Sequence, residues 1–158
     1  MSRFRVGFGY DVHRFARDRA LYLGGIEISH RQGLLGHSDA DVVIHALCDA
    51  LLGAAALCDI GCNFPDNDKS FEDIDSKILL KKTMQLLADK GYSFGNADIT
   101  VCAEQPKLNP HIPQMQTCLA EIMNVSPDDI SIKATTNESM GFVGREEGIA
   151  AYCTVLII

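Results

Sequence analysis

Asp11 and His13 flank Val12 in the stretch GYDVHRF, residues 9–15. In an extended chain, residues two apart project from the same face, so this carboxylate and imidazole can grip one ion. A second set lies further on, where Asp41, His45 and Asp49 at i, i+4 and i+8 make a polar stripe down an otherwise apolar helix. Two imidazoles and one carboxylate suit a zinc site whose fourth position stays open for substrate, and Asp11, His13 and His45 supply that set. Asp49, one turn beyond His45, would then orient an imidazole. Spacing alone leaves a second reading open, with Asp11 and His13 as surface polar residues and His45 as a hydrogen-bonded core histidine, because D-x-H triplets are common.

Other clusters carry anion and cation chemistry. His37 and Ser38 stand at the start of the same helix, where free N–H groups and the helix dipole favour a phosphate; Ser38 as a plain N-cap is the alternative. The loop FPDNDKSFED, residues 64–73, is not a calcium loop. Counting from Asp66, Phe71 stands where the turn needs Gly and Lys77 where a bidentate Glu is needed. In KATTNESMGFVGREEGIAA, residues 133–151, there is no GK[ST] and hence no P-loop. Thr135, Thr136 and Arg145 can nonetheless hold phosphate oxygens, with Glu138 on a hard cation bridging them.

These residues need elements to position them. The chain opens with a strand through RFRVGFGYDVHRF, and ALYLGGIEI, residues 20–28, reads as a hairpin turning at Gly24-Gly25. Apolar spacing predicts a helix over 38–57, with Ser38 and Asp41 separated as in a capping box. A loop over 59–70 and a helix over 73–90, stopped by Gly91, follow. The stripe of that second helix (Ile74, Ile78, Leu79, Met84, Leu86, Leu87) is expected to pack on a sheet. A strand over 97–104 leads through the proline-rich QPKLNPHIP into a helix ending near Asn124, and strands near 129–135 and 149–157 close the sequence. Alternating strands and helices predict an α/β or α+β layer, with helices covering a sheet.

The 158 residues are 47% apolar, enough for one ordinary core, so residues 1–158 are expected to form a single domain. The net charge is −7, with no basic run longer than Lys81-Lys82, which excludes a nucleic-acid footprint. The N-terminal sequence has no apolar run of the signal-peptide kind, and the cytoplasm is the expected location. Of six cysteines, only Cys58 and Cys62 are close in sequence. Their spacing misses the two-residue redox motif and offers at most half a zinc knuckle.

Four stretches, DVH, GLLGHSDADVVIHALCDALLGAAALCDIGCNFPDND, PKLNPHIPQM and KATTNESMGFVGREEGIAA, occur in order over nearly the full length. Together they closely resemble the 2-C-methyl-D-erythritol 2,4-cyclodiphosphate synthases of the non-mevalonate isoprenoid pathway. The resemblance implies an α+β fold: a single-layer sheet covered by helices on one face, in a homotrimer whose sheets face the threefold axis. It implies zinc, or another divalent metal, at Asp11, His13 and His45, and magnesium or manganese at Glu138 between substrate phosphates. It assigns His37 and Thr136 to transition-state stabilisation. Ser38, Asp59, Gly61, Phe64, Pro65, Asp66, Asn67 and Asp68 would receive the methylerythritol phosphate, and Asp11, Val12, His13, His37 and Ile60 would also bind substrate. Ala103, Glu104, Gln105, Pro106, Lys107, Leu108 and Asn109 with Thr135, Thr136 and Glu138 would form the cytidine pocket, and Asn137, Phe142 and Arg145 would also touch substrate. The implied substrate is a small cytidine diphosphate compound, cyclised with loss of CMP at sites between subunits. An isoprenoid diphosphate in an axial channel is a further implied ligand; no membrane or nucleic-acid partner is expected.

Overall fold

The computed structural model describes residues 4–65, 67 and 73–158. Its centre is a five-stranded sheet in the order β4-β1-β7-β5-β6, with β1 Arg5–Ala16, β4 Gly33–Leu34, β5 Phe94–Cys102, β6 Ile130–Thr135 and β7 Gly148–Ile157. Only β5 and β6 run parallel; the other pairs are antiparallel. A separate hairpin, β2 Leu21–Leu23 and β3 Ile26–Ile28, turns at Gly24-Gly25 as expected. Helix α1, Val42–Ala54, lies against β1, β7 and β5, and α4, Ile112–Met123, lies against β6. The expected α+β layering is therefore present, and a single core fills the space between sheet and helices. Among the described residues, no helix is long and apolar enough to cross a membrane.

Strand β1 has an inverted pattern. Its exposed side carries Val6, Phe8, Tyr10 and Val12, while Gly7 and Gly9 face the helices. The reason is the close approach of α1: a Cβ on Gly7 would stand 1.9 Å from the Ala50 carbonyl oxygen, and one on Gly9 the same 1.9 Å from that of Ala46. No side chain fits there. The next two residues on that face are Asp11 and His13, carried by the same contact line to the first turns of α1 and to His45.

The start of α1 differs from the sequence expectation. The N-cap is Asp41, not Ser38, and the helix spans 42–54, not 38–57. Asp41 is fully buried, and its carboxylate accepts from the N–H groups of Val43 and Ile44, each at 3.1 Å, and from those of Gly24 at 2.9 Å and Gly25 at 2.7 Å. One side chain thus ties the hairpin turn to the helix. Both Ser38 and Asp41 are competent caps by type; the buried glycine N–H groups select the acid.

Helix α3, Ser76–Asp89, also corrects a prediction. It packs on α1 and α4, with Leu79, Leu80, Thr83 and Leu87 buried and Ile78 exposed. Within the predicted loop, residues Ile60–Asn63 form a single turn, α2, capped by Asp59. Another turn, α5 Gly141–Gly144, covers a corner of the open sheet face, where Val143 contacts Cys102 and Ala150.

Candidate metal centre and adjoining cavities

Three ligand atoms converge between β1 and α1. Asp11 Oδ2 lies 2.9 Å from His13 Nε2 and 3.1 Å from His45 Nδ1, and the two nitrogens are 3.1 Å apart. The outer ring atoms decide which nitrogens carry hydrogen. His13 Nδ1 is 2.9 Å from the Leu35 carbonyl, which can only accept, so Nδ1 holds the proton and Nε2 a lone pair. His45 Nε2 lies 2.9 Å from Ser76 Oγ, and Ser76 donates its own hydroxyl proton to Asp39. Ser76 therefore accepts from Nε2–H, and His45 Nδ1 also points a lone pair inward. Three electron-rich atoms facing one point require a cation between them.

With only protons available, His45 takes up this role. Burial opposes its charge, but the hydrogen bond and charge of Asp11 prevail and raise its pKa above the ordinary histidine value. Burial likewise works against the Asp11 carboxylate, yet the flanking His13 and His45 imidazoles, once they carry protons in place of a metal, bond to it and hold its pKa down at about 2. A divalent metal fits the donor set. Tetrahedral zinc bonds of about 2.0–2.1 Å set ligand atoms roughly 3.3–3.4 Å apart, so the observed triangle needs only slight opening. Among the described residues this is the single metal-competent cluster.

Ser76 and Asp39 were not foreseen as part of the site, because the bond from Ser76 to His45 crosses 31 positions of sequence and that from Ser76 to Asp39 crosses 37. They form the outer support of the ligand ring. Ser76→Ala leaves His45 Nε2 with Ser38 Oγ, 3.1 Å away, as its remaining hydroxyl neighbour. Metal affinity is expected to fall about 10- to 100-fold, as for other outer-shell deletions. Competition with a chromogenic chelator measures it, and an unchanged affinity would show that Ser76 does not set the imidazole.

Two sequence readings are corrected here. Asp49 does not orient an imidazole: its carboxylate accepts from the Ile60 N–H at 2.7 Å and so fixes the start of α2. The start of α1 is also unavailable as a phosphate cradle, since Asp41 already takes its first N–H groups and His37 and Ser38 lie upstream of the cap. Both residues nevertheless reach the site. A cavity of about 210 Å³ beside the metal triad is lined by His37, Ser38, Ile60, Gly61, Phe64, Ile74 and Leu79 as well as Asp11, His13 and His45. Pro65 is half-buried and Asn67 exposed, neither in that lining, and Asp59 serves as the α2 cap through Cys62 N at 2.7 Å. Asp66 and Asp68 lie outside the described residues.

A second cavity, about 380 Å³, opens beyond the adjacent ends of β5 and β6. Ala103, Glu104, Pro106, Lys107, Leu108, Asn109, Thr135 and Thr136 line it, together with Pro110 and Ala134; Gln105 does not, although its peptide bond to Pro106 is cis. Glu104 also has a structural use, accepting from the N–H groups of Asn137 at 2.8 Å and Ser139 at 3.4 Å. Those bonds shape the turn that brings Thr136 Oγ1 within 3.1 Å of Glu138 Oε1. Phe142 lines a third recess with Val12 and His13, and Arg145 Nε donates to Glu147 at 2.6 Å.

The YgbB family model matches residues 4–158. The chain belongs to the YgbB family. Its relatives include the 2-C-methyl-D-erythritol 2,4-cyclodiphosphate synthase of Parabacteroides distasonis, 66% identical over 155 residues that cover 98% of this chain and 96% of that one. Among solved structures, IspF of Plasmodium falciparum in complex with CDP superposes with a TM-score of 0.87 at 32% identity, covering all of this chain and 97% of that one. The bifunctional IspDF of Campylobacter jejuni gives a TM-score of 0.95 at 41% identity over 98% of this chain. This chain spans 42% of that protein's length. The family match thus takes in both cavities and all three metal-competent residues.

Proposed function

We infer that the protein is a single-domain enzyme that converts 4-diphosphocytidyl-2-C-methyl-D-erythritol 2-phosphate to 2-C-methyl-D-erythritol 2,4-cyclodiphosphate, releasing CMP, in isoprenoid precursor synthesis. The observation that carries this reading is the convergence of Asp11, His13 and His45 beside a cavity lined by His37 and Ser38, within a chain 66% identical to a synthase of that name. The 2-phosphate oxygen attacks the β-phosphorus, the bond to the α-phosphate oxygen breaks, and CMP leaves with the electron pair. Near neutral pH the attacking phosphate monoester is mostly dianionic, so no general base is needed. The side chains have mainly to position and to neutralise.

In this scheme His37 and Ser38 restrain the methylerythritol phosphate, with Ile60, Gly61 and Phe64 closing around it. Thr136 holds an oxygen of the diphosphate, and the loop from Ala103 to Asn109 holds the cytidine. A divalent ion held by Asp11, His13 and His45, zinc by donor set, would supply Lewis acidity at the β-phosphate, and Glu138 would hold a second, magnesium or manganese, between the phosphates.

Register supports sites shared between copies. Val12, Ala150, Cys102 and Thr135 are partners in one row across β1, β7, β5 and β6. That puts the metal triad and the nucleotide cavity of one chain three strand spacings apart, roughly 14 Å. A homotrimer that joins the metal cavity of one copy to the nucleotide cavity of its neighbour brings the halves together. The same assembly would cover the exposed Val6, Phe8, Tyr10 and Tyr152 around an axial channel suited to an isoprenoid diphosphate.

Incubation of the pure protein with the cytidylated substrate, zinc and magnesium, followed by phosphorus NMR, tests the reading. Two coupled signals of a cyclic diphosphate plus CMP are expected; a linear methylerythritol phosphate would identify a hydrolase instead. The nucleotide cavity should also prefer cytidine to uridine substrates, its fixed donors and acceptors matching one base edge. One mismatched buried hydrogen bond costs about 1–3 kcal/mol, at least several-fold in kcat/KM. Equal efficiency with both bases would contradict the pocket assignment.

A further inference from the structure

Residues 36–41, GHSDAD, carry His37 and Ser38 past the metal cavity, and their backbone is not relaxed. Ala40 is fully buried and held in the left-handed region at φ +59, which costs a residue with a Cβ conformational energy. The segment keeps this shape only while its peptide groups are fastened, and two successive ones are. The His37 carbonyl accepts from the Asp73 N–H at 2.8 Å. The plane between Ser38 and Asp39 is held at both ends: its N–H donates to the Ile74 carbonyl at 3.2 Å, and its carbonyl accepts from Arg19 Nη2 at 2.7 Å. Ser38 is buried, so its carbonyl needs a protein donor, and the half-buried guanidinium provides a charge-assisted one. Arg19 has a firm base. It lies between Asp18, itself at φ +58, and the start of β2, and a Cβ on Gly33 of β4 would stand 2.1 Å from the Ala20 carbonyl oxygen and 2.7 Å from that of Arg19. Backbone packs on backbone there. The hairpin that follows receives Asp41 through the Gly24 and Gly25 N–H groups, so GHSDAD is tied to this unit at Ser38 and at Asp41, with the strained Ala40 between. Arg19 does not line the cavity; its reach into the site runs through Ser38.

We propose that Arg19 is a positioning residue for the cyclisation, fixing the Ser38 peptide and through it the directions in which the His37 imidazole and the Ser38 hydroxyl enter the metal cavity. The role rests on the proposed reaction, in which those two groups restrain the attacking phosphate. Without the guanidinium, the Ser38–Asp39 plane loses its hold at the carbonyl end, the strain at Ala40 is free to relax, and the phosphate is restrained off line. Substrate still binds through the metal and the cytidine loop, so the penalty falls on the chemical step and not on affinity.

Metal-loaded Arg19→Ala and Arg19→Lys test it. With the cytidylated substrate, kcat of Arg19→Ala should fall about 10- to 100-fold at unchanged KM, the penalty of a misplacement on the order of 1 Å. Affinities for CMP and for zinc should match the wild type. Arg19→Lys, whose ammonium can donate to the same carbonyl, should recover most of the rate. A second measurement needs no turnover: the five histidine rings are labelled with nitrogen-15 and followed by NMR. The His37 signals, identified by their loss in His37→Asn, should shift in Arg19→Ala and return in Arg19→Lys, while those of His111 at the start of α4 stay in place. Unmoved His37 signals, or a wild-type kcat in Arg19→Ala, would overturn the proposal and leave the cyclase reading intact. A raised KM with an equal loss of CMP affinity would show general loosening and overturn it as well. A wild type that makes no cyclic diphosphate, with His37 signals still answering to Arg19, would overturn the cyclisation alone.

Discussion

His45→Ala is expected to abolish metal retention and lower the cyclisation rate about 1,000-fold while the fold survives. A Lewis acid at a phosphoryl centre contributes several kcal/mol of transition-state stabilisation, and about 4 kcal/mol corresponds to that factor. Alanine removes one of three protein donors and leaves the Asp11 carboxylate with His13 as its remaining imidazole. The fold should lose about 2–4 kcal/mol, from the broken hydrogen bonds to Asp11, Ser76 and Ser38. Elemental analysis of the purified variant alongside a melting curve separates the two effects, and full zinc occupancy would refute the ligand assignment.

The same imidazole makes metal affinity depend on pH. Because its folded pKa is raised, protons compete for Nδ1 at a higher pH than for an ordinary histidine, whereas Asp11, at about 2, stays ionised throughout. Metal affinity should fall as pH drops through the raised His45 pKa. In the metal-free protein the sign is opposite. Protonated His45 stabilises the fold fully below about 6.5, its unfolded value, and that contribution is lost as pH rises through the folded pKa.

Gly9→Ala should be among the most destabilising small substitutions, although it adds one methyl group on a strand. The added carbon would stand 1.9 Å from the Ala46 carbonyl oxygen and 2.7 Å from the Ala50 nitrogen, both backbone atoms that no rotamer change can move. Helix α1 must lift away from β1, at a cost of at least about 3 kcal/mol. A melting temperature lower by roughly 6–12 °C is expected for a chain of this size. Since α1 carries His45 and β1 carries Asp11 and His13, metal affinity should fall as well, even though Gly9 touches no ligand. A variant melting within about 2 °C of the wild type would show that the strand and helix approach less closely.

Strands, the Gly24-Gly25 hairpin and the helix ending at Asn124 were legible because alternation, turn residues and a left-handed cap are local signals. The Asp11, His13 and His45 set was legible in residue type but not in arrangement, since spacing alone could not bring a strand against a helix 32 residues later. What went astray depended on distant partners. Asp41 outcompetes Ser38 as cap through bonds to a turn 16 and 17 residues away. For Asp49 the spacing from His45 is visible in the sequence and points to an imidazole, whereas the N–H of Ile60 that it accepts from is not. In α3 the buried residues Ser76, Leu79, Leu80, Thr83 and Leu87 form one helical face turned to α1 and α4, so Leu80 is buried and Ile78 exposed, unlike the expected stripe.

The placement of β1 between β4 and β7 bears on how the protein is made. All three candidate metal ligands lie in the first 45 residues, yet Asp11 pairs with Ala151 and His13 with Ile149 on β7. A ribosome adding about 5–20 residues per second leaves β1 waiting several seconds for that neighbour. Until β7 emerges, β1 has only the two-residue β4 beside it in the sheet. The candidate ligands are written early and framed late, so a nascent chain stalled before β7 holds the three side chains without the scaffold that aims them at one point.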